Sequence, residues 1–400
     1  MAEWQTVRLG EIVKTNQSTY SPKENWQFVN YLDTGNITMN KIDEIQYINT
    51  AKDKLPSRAR RKVKTNSIIY STVRPNQLHY GVIKEQPDNF LVSTGFTVID
   101  VNYDKAVPDF IYYALTKQEV TEQLQAIAEQ SVSAYPSLKP SDIENLEFML
   151  PDKKTQERIV AILRSIDEKI KENNAINNNL LEQALAIYKD WFCDYALSDG
   201  VLPENWKITT IDAISSLVTR GIAPKYDDSS DQIVLNQKCI RDHTIDISLS
   251  RRHLPKKINE KWISKGDLLI NSTGTGTLGR VAQVWFEANN MTVDSHVTIV
   301  RPKDPILQSY IGFWGLSHES EIEAQHTGST GQTELPRDRV KAMELPLPDE
   351  DTLSKFNELV IPMTSTVISN QEENDRLSQL RDALLPKLMS GELDVSDIDL

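Results

Sequence analysis

Cysteine is almost absent from this sequence of 400 residues: the two present, Cys193 and Cys239, lie far apart. They supply neither a disulfide framework nor a ligand-spaced zinc set. Long apolar runs are missing as well, so nothing in the chain reads as a membrane span. The opening MAEWQTVRLGEIV carries Glu3 and Glu11 where a secretory leader would carry an apolar core. These absences predict a reducing, cytoplasmic setting without a membrane. There is no G-x-x-x-x-G-K-[ST] and no H-E-x-x-H, and the six histidines are scattered.

Two catalytic-looking fragments fail on context. GTGTLG, from Gly274 to Gly279, fits a dinucleotide fingerprint, with Asp294 about twenty residues on. It is followed by RVAQVWF, a strand pattern, where the fingerprint needs a helix N-terminus to meet a pyrophosphate. Asp294, Ser295 and His296 are adjacent, but neighbours on a strand point to opposite faces and do not make a triad.

What is present is enough for two globular domains: 39% apolar and 25% charged residues. The net charge is −13, yet Glu344 to Leu400 holds four basic and thirteen acidic side chains and so carries nine of those charges. The rest is near neutral, with local basic blocks, and distribution matters more than the sum for nucleic-acid binding.

The chain repeats itself at a period of about 200 residues, longer than any solenoid unit. Trp4 ahead of VRLGEIV matches Trp206 ahead of KITTIDAISSLV, and Leu55-Pro56 matches Leu254-Pro255. NSIIYST matches GDLLINST, LVSTGFTVID matches TVDSHVTIVR, and SDIENLEFMLP matches DRVKAMELPLP. Strand signals dominate each globular part, with short helices expected at DFIYYALTKQEVTEQLQAIA and PILQSYIGFWGLSHES. The predicted fold class is α+β, mixed: two similar globular domains, 1–150 and 199–348, a central spacer helix over 151–198, and a C-terminal helix with an acidic tail over 349–400.

In the central segment Ile159, Ile162, Ile166, Ile170, Leu180, Leu181, Leu185, Tyr188 and Phe192 recur at helical spacing. Roughly 38 helical residues would extend about 57 Å. One small domain cannot bury so long a stripe, and the C-terminal segment offers a partner: Phe356, Leu359, Val360, Met363, Val367, Leu377, Leu380, Leu384 and Leu388. An antiparallel coiled coil with a pseudo-twofold would space two binding modules like a ruler, as a two-part DNA site requires. The asparagines of ENNAINNNL have two readings, polar seam positions that fix register or a solvated kink.

Several of these segments together resemble the specificity subunits of type I restriction-modification systems. They are YSTVRPNQLHYGVI with VSTGFTVI, SLKPSDIENLEFMLPDKKTQERIVAILRSIDEKI, the WFCDY that ends the first helix, LPENW, and LRDALLPKLMSGEL. The second helix departs from the pattern: it lacks a QERI-type start and carries Pro362. The resemblance implies a non-catalytic chain that reads an asymmetric bipartite sequence on double-stranded DNA with an unspecified gap. It also implies docking of two adenine-N6 methyltransferase subunits, and of restriction subunits where a system has them. Cofactors would belong to those partners: S-adenosylmethionine to the methyltransferase, ATP and magnesium to the restriction subunit. The absence here of an Asn-Pro-Pro or Asp-Pro-Pro tract agrees with methyl transfer residing in a partner.

Candidate DNA contacts fall in two classes. The basic blocks supply Lys52, Lys54, Arg58, Arg60, Arg61, Lys62 and Lys64 in the first half, with Arg251, Arg252, Lys256 and Lys257 at the equivalent place in the second. Such side chains neutralise phosphates. The polar loops after the matched strands supply Ser71, Arg74, Asn76, Gln77, His79 and Tyr80, then Thr273, Thr275, Thr277 and Arg280, with Ser329, Thr330 and Gln332 nearby in sequence. Arg to guanine and Asn or Gln to adenine are the pairings a major groove allows. The competing class is a coiled-coil scaffold that binds only proteins; it leaves unexplained why the two halves differ most in the loops between shared strands.

Overall fold

The computed structural model describes residues 4–130, 136–254, 258–274, 276–328, 333–396 and 398. Each half closes on itself through its own ends. Gln5–Arg8 pairs antiparallel with Glu147–Leu150, and Lys207–Thr210 pairs antiparallel with Glu344–Leu347. The repeat seen in the sequence is thus a repeat of topology.

In the first half an antiparallel sheet runs in the order Val13–Thr15, Phe96–Val101, Ile68–Ser71, Tyr80–Val82. In the second the order is Ser215–Arg220, Val297–Pro302, Leu268–Asn271, Val281–Gln283. Ile68–Ser71 and Leu268–Asn271 lie between two neighbours and are buried at every position, which is why they read as continuous runs rather than alternating ones. A second sheet in each half contains one parallel pair, Phe28–Leu32 with Phe90–Ser93 and Ile233–Leu235 with Met291–Val293. The expected short helices form as Pro108–Leu115 with Gln118–Glu129, and as Gln308–Ser317.

Two long helices follow the halves, Lys153–Phe192 and Glu350–Ser390. Both begin with the same cap, which the sequence comparison overlooked. Asp152 accepts from the Thr155 amide and hydroxyl, and Asp349 from those of Thr352, within a shared Pro-Asp-x-x-Thr. The first helix ends at Phe192, short of the expected 198. Tyr195 and Asp199 adopt left-handed backbone, which stops a helix, and a 3-10 turn occupies Ala196–Ser198.

The chain divides into two compact units, Met1–Ile170 with Arg376–Leu400, and Lys171–Asp375. In the first unit Ile159, Val160 and Leu163 share a core with Leu9, Ile143 and Phe148, and with Leu388, Met389 and Val395 from the C-terminal segment. Asp167 accepts from the Tyr113 hydroxyl at 2.7 Å and pairs with Arg381 at 3.0 Å. In the second unit the corresponding junction is aromatic: Phe192 lies 5.0 Å, between ring centroids, from both Tyr310 and Phe356, and Tyr188 and Trp206 join the cluster.

The helical seam differs from the expected stripe. Leu359 and Leu380 face solvent, while Thr364, Asn370 and Asn374 lie on the less exposed side. Asn173, fully buried, donates to Glu373 and Asn374, and Asn370 donates to Asn177 at 2.8 Å. Residue numbers rise on one helix as they fall on the other, so the pair is antiparallel. Asn173 and Asn177 are seam residues, Asn174, Asn178 and Asn179 are exposed, and the helix is continuous through all five. A buried amide must find partners, so this polar stretch favours one register over its neighbours.

Candidate nucleic-acid interface

In each half the strands Ile68–Ser71 and Leu268–Asn271 deliver the chain into a loop that returns as Tyr80–Val82 or Val281–Gln283. The two loops are closed alike, by the Ser71 amide on the His79 carbonyl and the Asn271 amide on the Arg280 carbonyl. Each is held from below by a second segment, the Leu138 amide on the Thr72 carbonyl and the Leu335 amide on the Ser272 carbonyl. The frames agree and the loop contents do not.

The first loop is a 3-10 turn, Pro75–Gln77, bracketed by Arg74 and Leu78, both in left-handed backbone at φ 49° and 58°. Arg74, Asn76 and Gln77 are exposed. His79 is half-buried, its Nδ1 2.6 Å from the Ile37 carbonyl oxygen, a geometry in which Nδ1–H donates. Two candidates are corrected. Ser71 is buried and donates to the Val73 carbonyl at 3.0 Å. Tyr80, 4% exposed, stacks on Tyr70 in the core, and burial pushes its hydroxyl up to about 12. Ile68–Ser71 and the edge strand Tyr80–Val82 are each buried along their whole length, so neither side chain reaches solvent.

The second loop is a glycine turn. Gly274, Gly276 and Gly279 all take positive φ, and the Gly279 position leaves no room for a Cβ against Glu323. Thr277 donates to Gln237 and to the Thr273 carbonyl, both at 3.2 Å, so it braces the turn. Thr273 bonds His296 Nδ1 at 2.7 Å, and Arg280 is half-buried at the return. The glycines therefore serve a turn into a strand, Val281–Gln283, and no helix begins there. Asp294 accepts from the His296 amide, and burial raises its pKa. Since His296 turns its Nδ1 to Thr273, the three adjacent residues do not form a triad. Lys256, Lys257, Thr275, Ser329, Thr330 and Gln332 lie outside the described residues.

The basic blocks split by environment. Lys52, Lys54 and Arg58 are exposed. Arg58 is tied to the loop that follows Ile68–Ser71: its carbonyl accepts from the Thr94 amide, and the residue after Thr94, Gly95, accepts from both the amide and hydroxyl of Thr72. Arg60 leans back on the Ser57 carbonyl. The Arg61 Nε is buried without a hydrogen-bond partner among the described residues, and desolvation lowers its pKa. Lys62 is paired with Glu24 and sits over the Trp26 ring, and Lys64 lies 3.5 Å from Asp100, so these two charges are partly compensated. In the second half Arg251 stacks over the exposed Tyr226 ring at 3.4 Å, and Arg252 donates to the Ser230 carbonyl. The platforms Trp26 and Tyr226 were missed in the sequence, because an aromatic beneath a cation is joined to it only by folding.

No group of histidine, cysteine and carboxylate side chains suited to a metal ion occurs among the described residues. Residues 1–182 match the family model described as the type I restriction modification DNA specificity domain. Those residues carry that specificity domain. Its similarity to specificity subunits extends beyond the matched region. The type I restriction enzyme HindI specificity subunit of Haemophilus influenzae is 25% identical, covering 98% of this chain and all of the relative. The MjaIX specificity subunit of Methanocaldococcus jannaschii is 25% identical over 74% of this chain and 71% of its own length. In fold, the chain is similar to the type I restriction-modification S subunit from M. genitalium, with a TM-score of 0.58 at 15% identity, covering 99% of this chain and 97% of that one. The specificity domain's role is DNA sequence specificity, and it is a non-catalytic one.

Proposed function

We propose that the two halves read the two parts of an asymmetric bipartite sequence on double-stranded DNA, and that the chain positions two adenine-N6 methyltransferase subunits on it, with restriction subunits joining where present. The observation that carries this reading is the contrast between the halves. One strand frame is used twice, and the loops it presents are a 3-10 turn in one case and a glycine turn in the other. Two readers of different half-sites need that combination, whereas a protein-only scaffold has no use for it. The solvent-facing Ile176, Leu359, Ile361 and Leu380 on the long helices support docking of protein partners there. S-adenosylmethionine would be held by the methyltransferase, and ATP with magnesium by the restriction subunit.

The test is to co-express the chain with its methyltransferase partner in a host free of DNA methylation and map N6-methyladenine across the genome. A two-part motif with a fixed gap that vanishes when this chain is omitted is the expected result. Methylation without such a motif, or a motif that survives omission of the chain, would overturn the reading.

A further inference from the structure

Non-glycine residues with left-handed backbone are concentrated at one place in the first half. Met39 (φ 47°), Arg74 (φ 49°) and Leu78 (φ 58°) are side chains for which this conformation is unfavourable, unlike the asparagines that make up most of the other cases in that half. They belong to one assembly. Ile37–Thr38 and Lys41–Ile42 form a hairpin whose two-residue tip is Met39-Asn40. The Met39 amide donates to the Leu78 carbonyl, the Asn40 amide to the Tyr80 carbonyl, and the Asn40 side chain accepts from the Val82 amide. Gly81 makes this approach possible: a Cβ there would lie 2.6 Å from Ile37 Cδ1 and 2.7 Å from Asn40 Oδ1. A tip of this kind favours asparagine or glycine at its first position. Here it holds a methionine that is 48% exposed, tied through its amide to Leu78, which ends the loop carrying the exposed Arg74, Asn76 and Gln77. Strain kept in place by surrounding hydrogen bonds, with an apolar side chain directed to solvent, is a feature of functional rather than structural positions.

The second half has the same hairpin, Ile240–Arg241 with Thr244–Ile245, but its tip is Asp242-His243. His243 lies 3.1 Å from Glu319, and alanine, Ala282, stands on the strand where the first half has Gly81. The apolar tip is a property of the first half alone.

We infer that the Met39 tip is a specificity element of the first half, its side chain contacting the C5-methyl group of a thymine in the half-site that this half reads. The inference rests on the DNA-reading function proposed above. An apolar side chain among amide and guanidinium donors suits the major groove, where the thymine methyl is the apolar feature of an otherwise polar edge. Arg74, Asn76 and Gln77 would take the polar edges next to it.

The experiment uses the full chain in complex with its methyltransferase partner, on duplexes carrying the mapped motif. Each thymine of the motif is replaced in turn by deoxyuridine, which removes only the methyl group. The wild-type complex is expected to lose roughly fivefold in affinity at one position. Met39→Gly, which suits the left-handed backbone and keeps the fold, is expected to bind the thymine duplex about fivefold more weakly and to be indifferent to deoxyuridine at that position. The salt dependence should not change, because no charge is removed. Thermal melting of Met39→Gly at or above the wild-type temperature shows that the tip still forms. A Met39→Gly complex that matches the wild type on both duplexes overturns this inference and leaves the proposed function standing. A wild-type complex without motif-dependent binding overturns both.

Discussion

The two halves share a frame and differ in how they hold what the frame presents. In the first, the loop between Ile68–Ser71 and Tyr80–Val82 keeps its shape through Pro75 and through left-handed Arg74 and Leu78, supported by a hairpin packed on Gly81. In the second, glycines make the turn, and Thr277, Gln237 and His296 brace it. The strands beneath are buried on both faces and tolerate little change, since a close-packed interior registers the loss of a single methylene. The loops are bounded only by where they start and end. A duplicated frame can therefore carry two unrelated surfaces at no cost to either core. The helical junctions differ in the same spirit: the long helix contributes aliphatic Ile159, Val160 and Leu163 in the first unit and aromatic Tyr188 and Phe192 in the second.

The largest effects should come from those junctions. Phe356→Ala removes the ring that Phe192, Tyr188 and Phe313 surround and is expected to destabilise the second unit by about 3–5 kcal/mol, measured by denaturant unfolding. Leu163→Ala in the first unit should cost about 2–5 kcal/mol. If the junctions fold independently, each substitution lowers a different transition; a single shared transition in both variants would break the comparison. Asn173→Ala should cost about 1–3 kcal/mol, because Glu373 and Asn374 lose a buried donor. Equal stability in that variant would mean that the polar seam does not set register.

Charge substitutions sharpen the comparison at the DNA surface. Arg58→Gln and Arg251→Gln should each weaken DNA binding and reduce the slope of log affinity against log salt by about 1. Lys62→Gln should do less, because Glu24 already compensates that charge. An equal effect from all three would assign phosphate contact to Lys62 as well.

The smallest effect concerns the helix caps. Hydrogen bonds from Thr352, Trp206 and Asn205 hold the Asp349 carboxyl down at about 2. A carboxyl held below its unfolded value of about 3.8 stabilises the fold above that pH, and the contribution disappears as pH falls toward 2. Asp349→Asn should remove that part of the acid sensitivity, read from melting temperature between pH 2 and 4. Asp152 is also lowered, by Thr155, but among the described residues has no counterpart to the Trp206 bond, so Asp152→Asn should change the profile less. The reverse order would show that the indole contact contributes nothing.

The duplication, the α+β class, the two long helices and the family resemblance were all legible in the sequence, because they rest on local pattern: apolar spacing, turn residues and ordered repeats. Exposed loop positions such as Arg74, Asn76 and Gln77 were legible for the same reason. Burial of Ser71 and Tyr80 was not, since what covers these strands comes from segments distant in sequence. Nor was the outward turn of Leu359 and Leu380, while the seam role of Asn173 and Asn177 was one of two readings that the sequence left open; a helical stripe is broad, and only the opposing helix selects which residues of it are covered. The pairing of Arg251 with Tyr226, and of the Met39 tip with the Leu78 loop, joins segments far apart along the chain. Sequence alone determined the elements and their repetition, because those follow from interactions between near neighbours. Tertiary structure decided which side chains meet and which face water, because burial is a property of the assembled fold and of no single segment.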